Sequence, residues 1–246
     1  MANLYHENAQ PAAPTPPLDG DARADIAVIG GGITGLSTAL HLAQVGAKVV
    51  LLEAEQPGWG ASGRNGGQVN PGLKMDPDQV ERDFGKELGS RMNALAAGAP
   101  AFVFDLIERH DIRCDARRNG TLRAAVRPKH AARVRATCEQ LARRGAPVEL
   151  LDGAGLERAT GTTRYQVAML DRRGGDLHPL SYVRGLARAA LGAGAAVHSG
   201  TRVRRMRRSG AVWQLETARG IVSAGQVVLA TNGYTDDLWP RLRRTI

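Results

Sequence analysis

Residues 24–53 read ADIAVIGGGITGLSTALHLAQVGAKVVLLE, and the fold follows from how this stretch is punctuated. Residues 25–29 are a short apolar run of buried-strand length. Gly30, Gly32 and Gly35 then make G-x-G-x-x-G. Leu36, Ala39, Leu40 and Ala43 recur at helical spacing, and Gly46 stands where a left-handed cap ends a helix. Residues 48–52 are a second strand-like run, closed by Glu53. Strand, glycine turn, helix and strand predict a parallel βαβ unit and an α/β fold of Rossmann-like type.

Each residue type meets a physical need. Gly30 permits the tight turn from strand to helix, Gly32 lets a pyrophosphate approach the backbone, and Gly35 lets helix and strand pack closely. The helix N-terminus offers unpaired N–H groups and the positive end of its dipole to phosphate. Glu53, about 20 residues past the first glycine, has the spacing of an acid that binds ribose hydroxyls. A carboxylate there repels a 2′-phosphate and argues against NADP. The candidate contacts of this unit are Gly30, Gly32, Ile33, Thr34, Gly35, Glu53 and Ala54.

Composition narrows the class. Hydrophobic residues are 43% of the 246 and aromatics only 4%, so the core must be built from Ala, Val and Leu. The formal net charge is +9. The arginines are spread along the chain with no aromatic-interleaved basic helix, so the charge reads as compositional bias and not as a nucleic-acid footprint. Cys114 and Cys138 stand alone, which predicts a reducing, cytoplasmic setting and no disulfide framework. Histidine and cysteine spacings predict no metal. The apolar stretch 26–45 is interrupted by glycines, His41 and Gln44, so no membrane insertion is expected. Residues 1–24 carry Pro11, Pro14, Pro16 and Pro17 and read as a flexible leader.

Residues 58–72 read GWGASGRNGGQVNPG, too glycine-rich for a helix or strand interior. Backbone N–H groups in such a loop can form an anion nest. Helices are predicted over 78–88, after an Asp76-Pro77 cap, and over 90–110, with Phe102, Phe104 and Ile107 as core. A strand over 121–126, a basic amphipathic helix over 128–144, and strands over 148–151 and 165–170 follow. The helix after Pro179 buries Leu180, Val183, Leu186, Ala187 and Ala190, with His178 at its entry. Residues 195–199 form a strand that 200–203 continue. Arg204, Arg205, Arg207 and Arg208 mark a charged hairpin edge. Residues 212–217 and 221–223 pair, and 226–230 form a separate buried strand ending in Ala230, Thr231, Asn232 and Gly233.

Four blocks resemble the FAD-dependent amine oxidoreductases of the D-amino acid oxidase and glycine oxidase type, within them the gamma-glutamylputrescine oxidoreductase subgroup. They are VIGGGITGLSTALHLAQVGAKVVLLEA, GWGASGRNGGQVNPGLK, GGDLHPLSYVRGLARAA and VVLATNGYTDDL. The resemblance implies FAD as cofactor. It also implies a glycine loop, Ser62, Gly63, Arg64, Asn65, Gly66 and Gly67, that runs along the flavin. Val203 is implied at the adenine, and Ala230, Thr231 and Asn232 beside the pyrophosphate. The implied organisation is an FAD-binding domain over 25–111 and 177–246, interrupted by a partial α+β substrate domain over 112–176. The implied reaction is oxidation of a primary or secondary amine by hydride transfer to flavin, with oxygen as acceptor. The resembled enzymes continue well beyond this stretch, so a truncated or fragmentary product is expected. No catalytic side chain is assigned, and the oligomeric state is open. Spacing alone also admits a nucleotide-binding remnant without turnover, or an NAD-dependent dehydrogenase.

Overall fold

The computed structural model describes residues 4–243. In chain order the elements are α1 (Leu4–Asn8), β1 (Ala22–Ile29), α2 (Ile33–Gln44), β2 (Val49–Leu52), β3 (Gln68–Val69), α3 (Pro77–Phe84) and α4 (Lys86–Arg109). There follow β4 (Thr121–Ala125), α5 (Pro128–Arg143), β5 (Val148–Leu151), α6 (Gly153–Thr160), β6 (Val167–Asp171) and β7 (Gly175–Asp176). Last come α7 (Pro179–Gly192), β8 (Ala196–His198), β9 (Arg205–Ser209), β10 (Val212–Glu216), β11 (Ile221–Leu229) and α8 (Pro240–Arg243). The chain divides into two compact units. The first gathers the described residues up to Gly66, His110–Cys114 and those from His178 onward; the second gathers Gly67–Arg109 and Asp115–Leu177.

The first unit is a six-stranded sheet in the order β8-β2-β1-β11-β10-β9. Its first four strands are parallel and its last two antiparallel. Ala27, Ile29, Val50 and Leu52 point to one face, where Leu18, Leu215, Val222 and Ala224 complete a core. By strand alternation Val28, Val49 and Leu51 point to the other, the face on which α2 and α7 pack together. Leu36, Leu40, Leu180 and Leu186 are fully buried there, each contributing about 2 kcal/mol of transfer free energy.

Two expectations are corrected in this unit. The stretch after β8 does not extend that strand. Gly200, at φ +58°, turns the chain, and its amide then donates to the Glu55 carbonyl and that of Thr201 to the Glu53 carbonyl. The expected short strand at 221–223 and the buried one at 226–230 are a single strand, β11. It tolerates Gly225 because it is held along its length by β1 and, over its first half, by β10. Its end is half-exposed instead of buried. The charged hairpin edge expected at Arg205, Arg207 and Arg208 is β9, the outermost strand of the sheet, paired antiparallel to β10 with Met206 opposite Leu215.

Residues 10–18, expected as a flexible leader, are pinned along this unit. The Leu18 amide donates to Thr201 Oγ1 at 3.0 Å, Thr15 and Ser199 hydroxyls meet at 2.6 Å, and Arg184 donates to the Gln10 carbonyl at 2.7 Å.

In the second unit, β6 lies between β4 and β5 in an antiparallel sheet. On one face Ala131, Val134 and Cys138 of α5 meet Ala125, Val167 and Met169. The first helix ends earlier than expected because Gly85 takes φ +80°. Gly89 then lets α4 fold against α3, since a Cβ there would stand 2.6 Å from the Glu81 Cα. Phe104 and Leu106 are buried as core, whereas Phe102 is half-exposed. Asp76 precedes α3 as expected, but its carboxylate caps no amide; it accepts from Arg133 Nε at 3.1 Å and Thr137 Oγ1 at 3.0 Å.

Candidate nucleotide-binding crevice

The turn between β1 and α2 is held by contacts that only glycine allows. Gly30 has φ +108°, and a Cβ on it would lie 2.8 Å from the Ala230 carbonyl oxygen. A Cβ on Gly35 would collide with the Gly30 carbonyl oxygen and press on Val28, which accounts for the close helix-on-strand packing. A Cβ on Gly32 would lie 2.7 Å from Ser62 Oγ. That hydroxyl accepts the Ile33 N–H at 3.1 Å, so Ser62, from a distant loop, caps the first turn of α2. Other amides of that turn have no acceptor within the helix and supply its anion-binding character.

Glu53 is fixed at the end of β2. Its Oε2 accepts the Gly31 N–H at 2.6 Å and its Oε1 the Glu55 N–H at 2.8 Å. Gly31 is a fourth closely packed glycine of this turn: a Cβ there would stand 3.0 Å from the Glu53 side chain. The motif G-x-G-x-x-G leaves this position unspecified, so sequence reasoning passed over it.

These groups line one crevice of about 870 Å3 at the carboxyl ends of the parallel strands, where open α/β sheets bind ligands. Of the expected residues, Gly30, Gly32, Thr34, Glu53, Ala54, Ser62, Val203, Ala230, Thr231 and Asn232 line it. Ile33 reaches it through the Ser62 contact, and Gly35 lies beneath it. Gly63, Arg64, Asn65 and Gly66 follow Ser62 outside the lining. The Asn65 amide donates to the Ser62 carbonyl at 2.9 Å and braces its own turn, and Arg64 lies over the Trp59 ring at 4.7 Å. Gly67 belongs to the second unit, where its carbonyl accepts the Leu177 N–H.

Residues not anticipated at the crevice include Gly31, Glu55, Trp59, Arg202, Tyr234 and Asp236. Trp59 and Tyr234 meet edge to face at 6.1 Å. Arg202 stands 3.8 Å from Glu55 and 3.6 Å from Asp236. A rare aromatic inside a glycine loop was the available signal for Trp59; the others carry none.

His178 is a helix cap here. Its Nδ1 accepts the Ser181 N–H at 3.1 Å, which leaves the ring proton on Nε2. That is the helix-entry role the sequence favoured for it. No helix among the described residues is long and apolar enough to cross a membrane.

A parallel sheet with a glycine turn, a helix N-terminus and a strand-end acid in one crevice defines the class of dinucleotide-binding α/β proteins. Residues 25–246 match the family described as FAD dependent oxidoreductase, and the chain belongs to that family. It is 35% identical over 237 residues to a gamma-glutamylputrescine oxidoreductase of Escherichia coli (strain K12), covering 96% of this chain and 55% of that protein. It is 34% identical over 239 residues to a probable oxidoreductase, OrdL, of Rhizobium meliloti (strain 1021), covering 96% and 56%. Glycine oxidase from Geobacillus kaustophilus superposes with a TM-score of 0.75 at 25% identity, over 90% of this chain and 58% of that one. The chain thus spans about half the length of the curated relatives it matches.

Proposed function

We propose that this chain forms the FAD-holding portion of a cytoplasmic oxidoreductase acting on a primary or secondary amine, a gamma-glutamylated polyamine or an amino acid, with oxygen as acceptor. What supports the cofactor is the crevice: first-turn amides of α2, glycines that leave room at the backbone, and a strand-end carboxylate face one space. An ADP moiety fits that donor set, its pyrophosphate meeting backbone N–H groups and its ribose hydroxyls meeting an acceptor. Gly30, Gly32, Ile33 and Thr34 would hold the pyrophosphate with Ala230, Thr231 and Asn232, while Gly35 supports the turn from beneath. Glu53 and Ala54 would hold the ribose and Val203 the adenine. Ser62, Gly63, Arg64, Asn65, Gly66 and Gly67 would follow the chain of the cofactor toward its ring. Bound flavin supplies two-electron oxidation of the amine to an imine, which water hydrolyses. The residues described here bind and orient; none is assigned a proton-transfer role.

The absorption spectrum of the purified chain tests the reading. Flavin bands are expected; a colourless protein that binds NADH would replace it with the dehydrogenase. The crevice alone equally fits a second reading, flavin binding without turnover. Peroxide formation with amines separates the two.

A further inference from the structure

β1 lies between β2 and β11 in the sheet. The loops that leave β2 and β11 therefore stand on either side of the Gly30–Gly32 turn, and residues of both line the crevice. Two contacts join these loops among the lining residues. At one, Trp59 of the β2 loop meets Tyr234 of the β11 loop edge to face, at 6.1 Å and 68°. At the other, Arg202 bridges Glu55 and Asp236.

The aromatic contact is supported on both sides. Arg64 covers the Trp59 ring at 4.7 Å, a cation–π arrangement. Gly60 leaves the space that the Tyr234 ring uses, since a Cβ there would stand 3.1 Å from it. The Tyr234 backbone is set by a turn in which Asn232 takes φ +47° and the Thr231 and Thr235 hydroxyls meet at 2.7 Å. Thr235 is buried, yet Trp59 and Tyr234 are 41% and 50% exposed. Two of the few aromatic residues are thus spent on the rim of a crevice and not in a core. Both rings lie on loops outside the sheet and about half of each faces solvent, so they can part without unfolding the sheet.

From this geometry we propose that Trp59–Tyr234, seconded by the Arg202 strap, is a clasp across the crevice that a dinucleotide must open to enter and to leave. The proposal rests on the FAD reading above. It predicts a kinetic signature that a simple wall contact lacks. Loosening a clasp lowers one barrier common to both directions, so uptake and release accelerate together and affinity holds. Removing a wall contact accelerates release alone.

The test is stopped-flow uptake and displacement of FAD by the full chain, followed by flavin fluorescence. Tyr234→Leu is expected to raise both rates about fivefold, the size of one aromatic pair. Tyr234→Phe keeps the ring pair and should retain wild-type rates. Asp236→Asn changes an exposed carboxylate, so it folds if Tyr234→Leu does not; it should raise both rates about twofold, less at high salt. Faster release with unchanged uptake, or no change in either rate, overturns the clasp while leaving the cofactor reading intact. Wild-type protein that takes up no FAD overturns both.

Discussion

The two units each contain a cleft, of about 870 and 560 Å3, and the clefts are built on opposite principles. The first is lined by glycine backbone and the start of a helix, with its one anchored acid held by main-chain amides. The second is lined by charges already matched. Asp171, nearly buried, takes Arg173 in a two-pronged pair at 2.9 and 2.6 Å. Arg144 joins Asp78 at 2.8 Å to Glu81 at 2.9 Å. Asp76 faces both Arg123 and Arg133. Backbone donors without an internal acceptor can be offered to an anion, whereas charges neutralised pairwise fix the shape of the protein around them. Net charge does not distinguish the two clefts: the arginine-rich one is internally balanced at these pairs, and the glycine-lined one presents uncharged amides.

Substitutions on either side probe that contrast. The largest effect belongs to Gly32→Val. Its side chain would enter space shared with Ser62 Oγ and the incoming phosphate, so flavin retention should be abolished while circular dichroism stays native. Next is Asp171→Ala, which strands a largely buried guanidinium. Unfolding by urea should be easier by about 3 kcal/mol, with flavin affinity per folded molecule unchanged. Glu53→Ala should weaken flavin binding by about 1.5–3 kcal/mol, the worth of hydrogen bonds to a charged group, as read by titration. Unchanged retention in both crevice variants would contradict the placement of the nucleotide.

The smallest effect is a pH dependence confined to the second unit. The hydrogen bond from Arg144 holds the Glu81 carboxyl below its ordinary value of 4.5. A depressed folded-state pKa gives stability that is present above 4.5 and is lost as the pH falls through the folded value. Denaturation midpoints measured from neutral to acidic pH should fall less steeply for Glu81→Gln than for the unaltered chain.

The crevice was legible to the extent that its chemistry is local. Gly30, Gly32, Gly35 and Glu53 sit within one βαβ unit, and their spacing encodes the turn and the strand-end acid. The side-chain role of Asp76 was not legible: an Asp-Pro pair reads as a cap, but partners about sixty residues away claim the carboxylate. The division at 225 failed for a similar reason. A glycine in an apolar run reads as a break, and only neighbours on both sides make it one strand. Phe102 was misplaced because helical apolarity does not say which stripe meets a neighbour.

By itself the sequence determined the class of fold, the glycine turn, the acid at the end of β2 and the amphipathic faces of α5 and α7. Periodicity and backbone freedom are properties of a few consecutive residues, so they can be read in line. Only the tertiary structure decided that β11 lies parallel to β1, that the Gly31 amide seats the Glu53 carboxylate, and that Trp59 and Tyr234 share a rim. Those outcomes depend on contacts closed over long loops, whose partners leave no mark on the local pattern of either segment.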